Sequence, residues 1–186
     1  GIVFKSAGQD RWANELRNYY INKCIQAWKC KCVIFGNFAE AEKQYAKVIT
    51  SGQPGADYAS YQRGCILGLL KKYDDKIITL EKLVKGYPKS DYADDALYEM
   101  ARAYLMKNDN ISAINTYERI LAAYPHSDLV RLSALEIGMV QSGLGEHEKA
   151  IEAYKKVITL YPGSEESYTA LQGIESSYVT LNRINE

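Results

Sequence analysis

Four cysteines, Cys24, Cys30, Cys32 and Cys65, and two histidines, His126 and His147, are the side chains of this chain best suited to metal binding or nucleophilic chemistry. Cys30 and Cys32 stand two apart, which on a helix turns them about 200° from each other, so one metal ion cannot take both. With no second cysteine pair and no histidine close to them, no metal site is expected. Neither histidine has a serine or cysteine beside it in a nucleophile setting. Gly143, Leu144, Gly145 lacks the Lys and Ser that a phosphate-binding loop places next. Acidic residues such as Glu146, Glu148 and Glu152 have the scatter of a solvated helix face. The expectation is therefore no enzyme, no catalytic residue and no cofactor. The 16 tyrosines invite stacking on sugar rings, but many stand beside Pro or at regular apolar positions, where the ring fills a core and the hydroxyl reaches its edge.

The elements that hold these residues follow from a recurring phrase. Tyr87, Pro88, Lys89, Ser90 returns as Tyr124, Pro125, His126, Ser127 and again as Tyr161, Pro162, Gly163, Ser164, each time 37 residues on. A fixed interval of that size with helical periodicity between the marks is the signature of stacked helix pairs. From Ala93 on, Leu97, Met100, Ala101 and Tyr104 share one helical face. Asn108, Asp109, Asn110 make a turn, and a second helix carries Ala113, Tyr117, Ile120 and Leu121 until Pro125 ends it. Ser90, Ser127 and Ser164, each followed by an acidic residue, suit the cap of the next helix.

Moving 37 residues forward gives Ala134, Ile137, Gly138 and Gln141, a turn at Gly143 to Gly145, then Ala150, Tyr154, Val157 and Ile158. Moving back gives Ser60, Arg63, Gly64 and Leu67, a turn at Lys71 to Tyr73, then Leu80, Leu83 and Val84, with Lys76 where the neighbours hold Ala. One unit earlier, Phe38, Ala41, Tyr45, Val48 and Ile49 form a second helix behind Gly36 and Asn37, while its partner near Asn22 to Ile34 is poorly patterned. Leu171, Ile174, Glu175 and Tyr178 read as one more first helix. The expected fold is all-α, antiparallel helix pairs in about 4.5 repeats: 22–55, 56–92, 93–129, 130–166 and a partial 167–186, behind a helical segment 1–21 of uncertain register. In this register Cys30 and Cys65 fall at matching places on adjacent first helices. An oxidising compartment would permit a bridge, although idle, apolar thiols are the expected state.

Lys plus Arg and Asp plus Glu number 23 each, so the summed field offers no general attraction for phosphate backbones, and nucleic acid is not an expected partner. No apolar run approaches the ~20 residues of a membrane-spanning helix. The opening at Gly1 without a secretory pattern suggests that an export signal is absent or removed, and the end at Glu186 suggests a fragment.

The unit resembles the tetratricopeptide repeat over about residues 22–186. The resemblance rests on the small residues Gly64, Ala101 and Gly138 in the first helix and Ala41, Ala113 and Ala150 in the second, on Tyr45, Tyr117 and Tyr154, and on the closing Pro, with Leu80 departing. The Tyr, Pro, any, Ser phrase is similar to repeats of bacterial envelope proteins, including outer-membrane assembly lipoproteins and coordinators of the Tol and Pal system. The resemblance implies a solenoid whose groove, lined by first helices, binds a protein or peptide. Carried onto this sequence, the groove residues are Tyr61, Cys65, Tyr98, Arg102, Leu105, Leu135 and Met139. That set suits an apolar or amphipathic peptide. A clamp for a peptide carboxylate would need more cations than Arg102, with Glu99 and Glu136 beside it. The expectation is an interaction scaffold in a periplasm or cell envelope. The alternatives are a cytoplasmic adaptor, and a structural segment that self-associates as a homodimer through exposed solenoid ends.

Overall fold

In the computed structural model the described residues are 37–52 and 54–183. Readings that fall on the first 36 residues, including the segment 1–21, the helix near Asn22 to Ile34 and the side chains of Cys24, Cys30 and Cys32, lie outside them. The contacts divide the chain into Gly1–Ala41 and Glu42–Glu186. Of the former, only residues 37–41 are described; there Asn37 Oδ1 accepts the Glu40 N–H at 3.3 Å and so opens a helix.

All regular structure among the described residues is helical: α1 (Phe38–Thr50), α2 (Ala56–Leu69), α3 (Tyr73–Gly86), α4 (Ala93–Met106), α5 (Asn110–Ala123), α6 (Leu129–Gly143), α7 (His147–Leu160) and α8 (Glu165–Thr180). From α2 onward each helix packs on the next, and α2, α4, α6 and α8 also touch in succession. These are the first helices of the pairs, and together they make one continuous face.

Two kinds of corner recur. Within a pair, Lys71, Asn108, Gly145 and Asn182, spaced by 37, adopt the left-handed conformation at φ 58°, 60°, 77° and 56°. The following N–H then reaches back into the first helix: Lys72 to the Leu67 carbonyl, Asp109 to Tyr104, Glu146 to Gln141 and Arg183 to Tyr178, at 2.8 to 2.9 Å. Between pairs, the N–H groups of Tyr87, Tyr124 and Tyr161 bond to the carbonyls of Leu83, Ile120 and Val157, and the Pro that follows prevents continuation.

The three serines take up the capping role expected of them in two ways. Ser164 caps α8, accepting the Ser167 N–H at 3.1 Å. Ser90 and Ser127 accept the N–H of Tyr92 at 3.3 Å and of Leu129 at 3.0 Å, and also donate to Asp57 Oδ2 at 2.7 Å and Asp94 Oδ2 at 2.5 Å, 33 residues back on the preceding first helix. The matching position before Ser164 is Arg131, which offers no acceptor, so that hydroxyl turns to its own helix.

The core runs both within and between pairs, one cluster joining α3, α4, α5 and α6. A Cβ on Gly64 would sit 2.4 Å from Leu80 Cδ2, so the glycine is what lets α2 and α3 close. The Tyr154 ring is clasped between two glycines: a Cβ on Gly138 or on Gly173 would lie 2.5 Å from it. Ala113 and Ala150 are fully buried as expected. On α8 the helix is correct but the buried stripe is Ser167, Ala170 and Ser177, while Leu171 is 58% exposed and Glu175 is also exposed. On α4 the corresponding Leu97 is 1% exposed; beyond α8 no described helix follows to cover Leu171.

Candidate functional site

Lys76 breaks the small-residue pattern of the second helices, and the structure accommodates it through a glycine. Its side chain runs across Gly68, where a Cβ would come within 3.1 Å of Nζ, and reaches Glu99 Oε2 at 2.5 Å. The Lys76 side chain is only 7% exposed, so the pair is largely withdrawn from water. Glu99 Oε1 accepts a second bond from the exposed Arg102 at 3.0 Å. Burial alone raises the Glu99 pKa, but hydrogen bonds and charge from Lys76 and Arg102 outweigh it and hold the carboxyl below its ordinary range.

This ion pair lies at an open pocket of about 400 Å³ on the first-helix face, between α2, α3, α4 and the flank of α6. Leu69 and Met106, each 63% exposed, supply its apolar wall, and Glu136 supplies a second carboxylate. Tyr98 donates its phenol to Glu136 Oε1 at 3.2 Å, and burial together with that carboxylate pushes its pKa up to about 12. The Tyr98 ring meets that of Tyr117 at 5.5 Å between centroids. Tyr117 is completely buried, its hydroxyl is without a hydrogen-bond partner, and it too lines the pocket. A buried polar group in that condition costs stability unless something completes it.

Among the groove residues expected from sequence, the structure brings Cys65, Arg102 and Leu105 into this one pocket, with Tyr98 at its margin through Tyr117 and Glu136. Tyr61 sits alongside, stacked on Tyr92 at 5.6 Å and 18°. Cys65 is a free thiol, and its pKa is raised, first by burial and then by the charge of Glu99. Leu135 departs from the expectation. It is only 5% exposed, in a cluster with Ala134, Ala150 and Tyr154, so its side chain fills the core rather than offering a contact. Met139, 48% exposed, stays on the surface outside the pocket. Sequence reasoning passed over Tyr117 as core, and had Lys76 only as a misfit; the signal for both was a polar atom in an apolar position. Among the described residues no cluster of His, Cys, Asp and Glu could hold a metal ion, and no helix is long and apolar enough to cross a membrane.

Models of the tetratricopeptide repeat match residues 58–90, 95–127 and 133–164. Among solved structures, a crystal structure of MamA is 27% identical, with 83% of this chain and 85% of that chain covered at a TM-score of 0.65. MamA 41-end from Desulfovibrio magneticus RS-1 is 21% identical over 89% of this chain and 88% of that one, at 0.63. A Podosopora anserina putative kinesin light chain with nearly identical TPR-like repeats is 13% identical, covering 96% and 90%, also at 0.63. No curated protein matches the chain.

Proposed function

The chain belongs to the tetratricopeptide repeat family, a fold of protein-interaction scaffolds, and from that premise we propose that its first-helix face binds an amphipathic peptide of a partner protein. The observation that carries this reading is the pocket at Lys76, Glu99 and Tyr117. It combines an exposed apolar wall, a guanidinium with donors to spare, a carboxylate and an uncompleted buried hydroxyl in one concavity. An apolar anchor would cover Leu69 and Met106, and a polar group beside it would reach Tyr117 and Arg102. With two cations and two anions around it, the pocket favours an anchor of low net charge over a peptide carboxylate. Proteins of this family are generally scaffolds without catalysis, and no reaction is assigned.

A peptide array probed with wild type, Tyr98→Ala and Arg102→Ala tests the reading. Loss of the bound set in both variants supports it, and an unchanged set with unchanged affinities overturns it. The proposal extends to a bacterial cell envelope, on the likeness of the Tyr, Pro, any, Ser phrase to envelope repeats; fractionation of the natural protein tests that, and a cytoplasmic protein would make it an adaptor. A second reading, a homodimer through α8, is favoured by Tyr168, Leu171 and Val179, exposed at 64, 58 and 56%. Light scattering across a concentration series distinguishes dimer from monomer.

A further inference from the structure

The strict 37-residue interval supplies an internal control for each part of the surface. On the side away from the ion-pair pocket, a cleft of about 560 Å³ lies between α5 and α7, floored by α6. Its floor is Val130, Ala134, Ile137 and Gln141. One unit earlier the corresponding residues are Ala93, Leu97, Met100 and Tyr104, all packed in or against the central apolar cluster. Two of the four changes remove bulk: Leu97 becomes Ala134, and Tyr104 becomes Gln141. The missing volume is an isopropyl group and about half of a phenol, part of it refilled by Val130 in place of Ala93, and the remaining floor is wetter, Ala134 and Ile137 at 9 and 7% exposed against 1% for both Leu97 and Met100.

One residue of the cleft floor also carries an uncompleted polar atom. Gln141 Oε1 is buried and has no hydrogen-bond partner. A carbonyl oxygen only accepts, so the group that completes it must donate. Around the mouth stand Lys149 and Lys156 against Glu118 and Glu152, two charges of each sign, which favours a neutral occupant. The size falls within the usual range of small-molecule sites, and the wall is mainly apolar with one oriented polar group.

We infer that this cleft binds a small neutral aromatic molecule carrying one hydrogen-bond donor, the ring filling the space given up by Leu97 and Tyr104 one unit on and the donor meeting Gln141 Oε1. The inference is independent of the peptide reading, since it uses the opposite side of the helix stack.

Titration of the isotope-labelled chain with p-cresol, followed by NMR, tests it. For a molecule this small in an open cleft, binding in about the millimolar range is expected. Saturable shifts confined to α5, α6 and α7 are expected, with toluene, which has the ring but no donor, about fivefold weaker. The double variant Ala134→Leu, Gln141→Tyr restores the residues of the preceding unit and should abolish binding while keeping the fold. Gln141→Leu removes the acceptor alone and should leave toluene binding in place while erasing the advantage of p-cresol. Equal affinity for the two probes in wild type, shifts that do not saturate, or p-cresol binding that survives the double variant would each overturn the inference. Tighter binding of acetyl-tyrosinamide than of p-cresol would overturn the small-molecule assignment in favour of a protein side chain.

Discussion

Where α4 crosses α5 the small residue is Ala101 and the ring belongs to Tyr117, whereas at the crossing of α6 and α7 the same places hold Gly138 and Tyr154. The second ring is held at two edges: Gly138 lies against its Cε1 and Cδ1 side and Gly173 against its Cε2 and Cζ side. The first is equally buried but its hydroxyl is unsatisfied beside an open pocket. One phenol closes a structural joint, and the other is buried with its polar end uncompleted. The repeat interval fixes where side chains go; whether their polar ends are satisfied separates architecture from function.

The largest test of that contrast is Gly138→Leu. The Tyr154 ring cannot withdraw because Gly173 stands behind it, so overpacking should cost about 3 kcal/mol in urea unfolding. A loss below ~1 kcal/mol would show that the ring has room to move. Next comes Glu99→Ala, which leaves Lys76 largely buried and unpaired; because that lysine borders an open pocket, about 2 kcal/mol is expected rather than the fully buried figure. The sign with pH is set by a carboxyl held low in the folded protein. Its stabilisation is present above the ordinary carboxylate pKa of about 4.3 and is lost as pH falls through the folded value, so wild type and Glu99→Gln should converge in acid. A gap that widens there would reverse the assignment. Tyr117→Phe should be neutral or stabilising, since it deletes an unsatisfied group. A loss above ~1 kcal/mol would dissolve the comparison. The smallest effect is at the corners: Lys71→Gly should stabilise by about 0.5 to 1 kcal/mol by relieving a left-handed lysine, and Gly145→Ala should destabilise by a similar amount, both readable as shifts in thermal midpoint.

The corners were legible in sequence because they are local. Pro125 cannot continue a helix and Gly145 accepts a left-handed backbone whatever surrounds them, so the end of α5 and the turn after α6 stand where these residues do. Which side chains reach the groove was less legible, since that depends on neighbours distant in the chain. Leu135 shares its register with Tyr98, yet it is covered by the cluster of Ala150, Tyr154 and Ala170. Ser90 and Ser127 read as caps by local chemistry, and do accept backbone N–H groups there, but the acceptors of their own protons, Asp57 and Asp94, lie 33 residues away. Lys76 was visible as an anomaly, but the space that Gly68 opens for it and the acid that meets it come from the packing of three helices.

The substitution at Arg131 has a consequence for how the stack responds to its medium. The seams from α2 to α4 and from α4 to α6 are each riveted by a serine on an aspartate, whereas the third is spanned by Arg131 and Glu166, 4.0 Å apart and partly wet. Mobile ions shield such a pair far more than they weaken a short hydroxyl contact. Raising the ionic strength therefore weakens the polar tie from α6 to α8 more than the two before it.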